Sequence, residues 1–303
     1  MNAIQVIFDT NAYRMLTFGK NTDEAIASIN EIRRKEALQN ISCYVSPIVW
    51  LELFCHLGDS NDKSFDNCFC ALIASYFHCV EDDKNGRYRL IADGEALLAG
   101  SLFDYSDPVT TNLYQGFGRL IYEIYHNPDW KNDEKYSNYF KTVKIATDKD
   151  EMNFLNAFRE IATNYAIKKD RRKKIVSLLK SGQLLNAIAA YQVLKALDIA
   201  KKNENELTQV ELSKHTEFVK NYFPAALHLG IQIMNKLIGN PNFDITKNNR
   251  ANWVWDFQLL FYISKFNANI LITDDRAMLD AAKAAGLKDK AMKFADYKSY
   301  LGF

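Results

Sequence analysis

Two short apolar runs, one near each end of the chain, most constrain how this sequence can fold. Residues 4–8 and 269–273 have the length and composition of buried β-strands. The first run leads directly into Asp9, and the second leads into Asp274 and Asp275. In open parallel sheets, ligands bind in the crevice beyond the carboxyl ends of the strands. We therefore expect the two ends of the chain to lie side by side and to share one acidic cleft.

Two further carboxylates lie inside predicted helices that are otherwise strongly apolar. Ser46-Pro47 marks the start of a helix over residues 47–57, which contains Glu52. Asp256 has the same setting among tryptophan, phenylalanine and aliphatic residues. A buried carboxylate without a partner is costly or stays protonated, and a bound cation reverses that penalty. The pattern predicts a divalent-metal site made by Asp9, Glu52, Asp256 and Asp275.

Helix capping is the simpler explanation for Asp9, Asp274 and Asp275 when each is considered alone. Aspartate is common at helix N-termini, where its side chain accepts a backbone hydrogen bond. Capping does not explain Glu52 or Asp256, because both lie within helices rather than at their starts. The four acids together therefore favour a common site.

The two ends of the chain resemble the PIN domain, a family of metal-dependent nucleases. The resemblance covers residues 4–57 and 251–294 and rests on Phe8-Asp9-Thr10-Asn11, Glu52, Asp256 and Ile272-Thr273-Asp274-Asp275. It implies an α/β, three-layer PIN-like fold with a central, mainly parallel sheet. It also implies that the acids named above hold Mg²⁺ or Mn²⁺, with Thr10, Asn11 and Thr273 as supporting polar residues around them. Asp274 is then a capping residue, a spare ligand, or the ligand itself in place of Asp275.

The resemblance implies a metal-dependent ribonuclease, expected to cut internally, that hydrolyses phosphodiester bonds in single-stranded or structured RNA. Such an enzyme acts as a toxin or in RNA processing, and a protein inhibitor or a second copy of the chain are further expected partners. One alternative is a catalytically silent scaffold of the same fold that binds RNA or a partner protein. Another is a phosphatase with Asp9 as nucleophile, although Asn11 stands where its second carboxylate is needed.

The chain departs from compact members of that family in the long segment between Glu52 and Asp256. We predict a discontinuous nuclease core of residues 1–58 and 250–303, with residues 59–249 as an α-helical insertion that binds substrate or partner. Helical patterns in this segment cover 152–167, 175–179, 184–200 and 210–237. Its basic cluster is a candidate nucleic-acid contact, and a solvated turn between helices explains it equally well. The cluster comprises Lys168, Lys169, Arg171, Arg172, Lys173 and Lys174.

Within the predicted core, strands alternate with helices, which indicates a parallel sheet. The expected strands are 4–8, 43–46, 269–273 and 291–294, and the expected helices are 23–40, 47–57, 252–266 and 276–285.

Composition limits the remaining choices. A net charge of +1 gives no general attraction to nucleic acid, so binding depends on local patches. Five cysteines, an odd number, argue against a disulfide framework. Cys68, Cys70, His78 and Cys79 lack the spacing of a familiar zinc module, and we interpret the cysteines as buried structural residues. Without a leader-like start or a membrane-length apolar run, a cytoplasmic protein with no membrane partner is expected.

Overall fold

A computed structural model of the protein describes residues 4–82, 87–106, 108–165, 182–202, 207–239 and 253–303. Within these residues the prediction of an α/β protein with a parallel sheet is confirmed. The strands are β1 Ile4–Phe8, β2 Ile41–Cys43, β3 Val80–Asp82, β4 Arg87–Tyr88, β5 Ile270–Ile272 and β6 Ala291–Met292. Four of them form one sheet in the order β2-β1-β5-β6, in which every pair is parallel, while β3 and β4 form a small antiparallel pair.

Helices make up most of the rest of the described chain. Their bounds are α1 Thr10–Thr17, α2 Thr22–Leu38, α3 Pro47–Phe54, α4 Phe65–Cys79, α5 Gly94–Phe103, α6 Pro108–His126, α7 Glu134–Tyr165, α8 Gln183–Ile199, α9 Gln209–Tyr222, α10 Pro224–Gly239, α11 Trp253–Leu259, α12 Arg276–Ala284 and α13 Phe294–Tyr300. Local sequence explains several of the starts. Asn21 and Glu24 form a capping box at α2, and the Ser46 hydroxyl accepts from the amide of Ile48 at α3. None of the described helices is both long and apolar enough to cross a lipid bilayer.

The sheet topology places a crevice between its two central strands. Phe8 at the end of β1 lies opposite Ile272 at the end of β5. From β1 the chain continues to β2 on one side, and from β5 it continues to β6 on the other. The connections therefore diverge at the β1/β5 boundary, which is the position where open α/β sheets bind ligands.

Several predicted element boundaries were wrong, for identifiable reasons. The second strand begins at Ile41 and ends at Cys43, because Val45 leaves β1 and exchanges hydrogen bonds with the segment around Leu90. The strand predicted over 291–294 ends at Met292, since Phe294 already begins α13.

Predicted helices were also too long, among them the helices over 23–40 and 47–57, which end at Leu38 and Phe54. The helix predicted over 252–266 ends at Leu259 and continues as one 3₁₀ turn, where Asn267 and Asn269 donate to the Tyr262 carbonyl. The pattern over 210–237 is two helices, because Pro224 has no amide hydrogen to continue the first. The helix predicted at 175–179 lies outside the described residues.

The predicted insertion packs directly on the terminal segments, with α7 contacting both α3 and α11. Phe154 and Phe158 of α7 lie 5.4 and 5.7 Å, between ring centroids, from Phe257 of α11. The division of the chain into a discontinuous core and a helical subdomain stays a prediction.

A buried polar network lies behind β1 and ties α2, α4 and α13 together. The His78 imidazole lies 2.9 Å from the Glu36 carboxylate, and both side chains are almost completely buried. The Tyr297 hydroxyl donates to Glu36 at 2.7 Å, and the Tyr13 hydroxyl lies 3.0 Å from the other imidazole nitrogen. Burial by itself lowers the pKa of His78, but the adjacent Cys43 and Glu36 outweigh burial and raise it to about 9. His78 is therefore a cation at neutral pH.

We expect Glu36→Gln to destabilise the protein by about 3 kcal/mol near neutral pH, because it leaves a buried imidazolium without its counter-ion. Urea unfolding measures the change, and Glu31→Gln on the exposed side of the same helix is the matched control. The contribution is complete between the unfolded glutamate and histidine pKa values, and it is lost as the pH rises through about 9 or falls through the lowered pKa of Glu36. Equal stability of the Glu36 and Glu31 variants would contradict this account.

Candidate functional site

Parallel pairing of β1 with β5 brings the first and the last of the predicted acids to one edge of the sheet. The Asp9 amide donates to the Ile272 carbonyl at 2.9 Å, and the Thr273 hydroxyl donates to the Asp9 carboxylate at 2.5 Å. A cavity of about 640 Å³ opens at this edge. Its lining includes the four predicted acids, Asp9, Glu52, Asp256 and Asp275.

Asp9 is held in place through both of its carboxylate oxygens. Oδ1 accepts from the Ala12 amide at 2.6 Å, so Asp9 caps α1, while Oδ2 accepts from Thr273. The residue is only 3% exposed. Burial raises the pKa of Asp9 to about 7, with help from Asp274 and Asp275 and against the two hydrogen bonds. Asp9 therefore both caps a helix and faces the cavity.

Glu52 lies on α3, and its carboxylate is oriented by a residue of α1. The Thr10 hydroxyl, at the start of α1, donates to its carboxylate. Part of the side chain faces the cavity, yet burial raises the pKa of Glu52 to about 8. The Thr10 hydrogen bond and Arg14 oppose this rise, while Asp9 and Glu151 add to it. The Glu52 carboxylate is thus repelled by its neighbours.

Asp256 and Asp275 complete the acidic lining of the cavity. Burial raises the pKa of Asp256 well above its usual value, and Glu52, Asp275 and Asp9 add to the rise. Asp275 caps α12 by accepting from the Met278 amide at 2.9 Å. Asp274 does not line the cavity, because its carboxylate accepts from the Phe294 amide at 3.3 Å. Of the two adjacent aspartates, Asp275 is the one that faces the acids.

The four acids have no cationic partner at contact distance among the described residues. No lysine, arginine or histidine nitrogen in this part of the chain lies within 4.0 Å of their carboxylate oxygens. Like charges buried together without a counter-ion favour either protons or a bound cation. In the same part of the chain, however, no three Asp, Glu, His or Cys side chains are close enough together to form a ready-made metal cluster.

Other predicted site residues fall into three groups. Thr10 and Asn11 line the cavity, and Thr273 supports it through Asp9. The basic cluster at 168–174 lies outside the described residues. His56, which the sequence favoured as a structural residue at the edge of the core, lines the cavity, and its imidazole lies 2.9 Å from the Asp62 carboxylate.

The central segment supplies cavity residues that the sequence did not single out. Glu151 of α7 is buried and accepts from the Trp255 indole at 2.7 Å. Lys144 and Asp148 of the same helix also line the cavity, and the Lys144 ammonium lies 3.6 Å from the Asp148 carboxylate. Arg14 of α1 contacts Ser64 at 3.2 Å, and its Nε is buried without a hydrogen-bond partner. In the sequence, Arg14 is close to Asp9. Glu151 could not be recognised, because it belongs to a run of charged residues with no apolar residues between them.

The cysteines are free, and all but the half-buried Cys55 are buried, as predicted. Burial raises the pKa of Cys68 and Cys79 to about 12, so both thiols stay protonated at neutral pH. Cys55 lines the acidic cavity beside Glu52.

Comparison of the chain with protein-family models, with characterised proteins and with solved structures finds no significant match in any of the three.

We expect Glu52→Gln to stabilise the metal-free protein at alkaline pH by about 1–3 kcal/mol, because a neutral amide removes a buried, repelled charge. The folded pKa of Glu52 lies above its unfolded value, so the wild-type glutamate lowers stability as the pH rises from about 4.5 to about 8.

Urea unfolding in EDTA at about pH 5 and about pH 9 measures this difference. The gain should be confined to the higher pH, and Glu31→Gln, an exposed glutamate in a helix, should show no gain at either. A Glu52 variant that is destabilised equally at both pH values would refute the electrostatic account of the cavity.

Proposed function

We propose that this protein is a divalent-metal-dependent nuclease with a PIN-like three-layer fold, and that RNA is its substrate. The observation that carries the proposal is the convergence of Asp9, Glu52, Asp256 and Asp275 on one cavity. These acids come from both ends of the chain, two at helix N-termini that follow β1 and β5 and two within helices, in the order that the PIN-like resemblance predicts. The cavity also lies where an open parallel sheet binds ligands.

The donor set fits a hard cation. Carboxylate oxygens are the ligands that Mg²⁺ and Mn²⁺ prefer, and the four acids lack a protein counter-ion among the described residues. Asp9, Glu52, Asp256 and Asp275 would hold the ion. When bound, such an ion activates a water for attack and stabilises negative charge at a phosphodiester.

The neighbouring polar groups orient these carboxylates. The Thr273 hydroxyl and the Ala12 amide fix the two oxygens of Asp9, and the Thr10 hydroxyl fixes Glu52. Each accepting oxygen keeps lone pairs for a second partner. Groups of this kind hold metal-binding carboxylates in place and tune their basicity, so they contribute to affinity without touching the ion.

Two cationic side chains at the cavity provide a place for the phosphate backbone. Arg14 and Lys144 line it together with the acids. A guanidinium binds phosphate oxygens through paired hydrogen bonds, and an ammonium acts as a point charge. Because the whole chain carries a net charge of only +1, such local cations supply the attraction that its overall charge lacks.

Asp9→Asn should lower RNA cleavage in Mg²⁺ by about 100-fold or more, because it removes one metal-binding charge. The fold should persist, since asparagine caps a helix as well as aspartate does. Gel assays on single-stranded RNA and DNA measure the loss, and circular dichroism checks folding. Asp274→Asn is the matched control, because its carboxylate faces Phe294 and not the cavity. Full activity in the Asp9 variant would reject the proposal.

A protein of this fold that binds RNA without cutting it is the second candidate. It is favoured by the absence of a closed group of three metal-binding side chains among the described residues. Calorimetric titration with Mn²⁺ separates the two functions. The nuclease requires binding that Asp256→Asn weakens by about tenfold or more. Absence of both Mn²⁺ binding and cleavage of any tested RNA would leave only the scaffold.

A further inference from the structure

A second cavity of about 370 Å³ lies next to the acidic one. Residues of α3, α5, α7, α8 and α11 line it. Its volume is within the range of small-molecule sites, and its walls include the aromatic rings of Phe154, Tyr191 and Trp255. Aromatic walls with a few polar groups suit a flat heterocyclic ligand.

The two cavities have one lining residue in common. Trp255 lines both, and its indole donates at 2.7 Å to Glu151, which lines the acidic cavity. Helices α3, α7 and α11 each contribute to both cavities. The two cavities therefore lie side by side.

The two acidic side chains of α5 and its N-cap at the second cavity, Asp93 and Glu95, differ in their hydrogen bonding. Asp93 accepts from the Ala96 amide at 2.8 Å and from the Tyr114 hydroxyl at 2.5 Å. Glu95 accepts no hydrogen bond from any described residue. Lys195 is close enough to lower the pKa of Glu95, but the two side chains form no ion pair within 4.0 Å. Burial raises the pKa of Glu95 to about 7, and Lys195 opposes the rise. Glu95 is partly exposed to the cavity and has no hydrogen-bond partner among the described residues, so its carboxylate is free to bind a ligand.

We propose that this second cavity binds a guanine base, with Glu95 and Lys195 as the residues that select it. Guanine offers two adjacent donors, N1–H and the 2-amino group, which a carboxylate accepts together. Its O6 and N7 accept from an ammonium group. Adenine presents the opposite pattern at the equivalent atoms, and cytosine and uracil each lack the paired donors. Stacking on Tyr191 adds affinity whichever base is present.

The role of the cavity in cleavage rests on the proposed nuclease function, but its affinity for the base does not. Guanosine has no phosphate and needs no metal, so its binding tests the cavity alone.

Calorimetry in EDTA with guanosine, adenosine, cytidine, uridine and inosine is the test. Guanosine should bind about tenfold or more tighter than adenosine, cytidine and uridine. Inosine lacks the 2-amino group and should bind more weakly than guanosine to the wild type. In Glu95→Gln this difference between guanosine and inosine should shrink, and Lys195→Met should weaken both nucleosides. Glu160→Gln, at an exposed glutamate of α7, should leave binding unchanged.

Equal affinity for all nucleosides, or no binding of guanosine in the millimolar range, overturns the proposal. Equal affinity of the wild type for guanosine and inosine also overturns it, and that measurement does not depend on whether the variants fold. Asp9→Asn should bind guanosine normally, because its carboxylate lies in the other cavity. Guanosine binding without RNA cleavage would defeat the nuclease and leave the base site standing. Cleavage with no preference for guanine near the cut would defeat the role of this cavity in cleavage, while guanosine affinity decides the base site itself.

Discussion

The pairing of β1 with β5 is the contact on which the rest of the structure depends. It joins two segments from opposite ends of the chain, and it aligns Phe8 with Ile272 so that Asp9 and Thr273 emerge together. The hydrogen bond from Thr273 to Asp9 then fixes the first carboxylate relative to the second strand. A shift of one residue in this register would turn the side chains of one strand to the opposite face and so separate Asp9 from Thr273. The arrangement of the cavity therefore follows from the pairing of two short apolar strands.

Two groups of charged side chains lie close to β1, and they differ in whether the chain supplies a cationic partner. Behind the strand, Glu36 has His78 and a tyrosine hydroxyl as partners, so the charges are matched within the chain. At the end of the strand, Asp9, Glu52 and Asp256 repel one another, and burial raises the pKa of each. A fold that pairs one buried carboxylate with a cation and leaves three others in one cavity without such a pair concentrates its electrostatic cost there. Such a concentration is typical of functional sites.

The sequence contained enough information to predict the parallel sheet and the grouping of the four acids. Both depend on local contrast, because an acid after an apolar strand or inside an apolar helix stands out. Glu151 and Lys144 could not be found in this way, since they lie on a long helix whose charged residues continue on every side. Only the packing of α7 on α3 and α11 selects which of those charges face the cavity. The second cavity was missed for a similar reason, since Glu95 and Lys195 come from separate helices with no shared motif.

The separation of Asp9 from Thr273, 264 positions along the chain, has a consequence during biosynthesis. A ribosome releases the N-terminal half of the acidic cavity long before β5 and Asp275 leave the exit tunnel. Until then β1 lacks its partner on one side, and Asp9 has no threonine to orient it. The acidic cavity of a nascent chain is therefore incomplete until β5 and Asp275 have been synthesised.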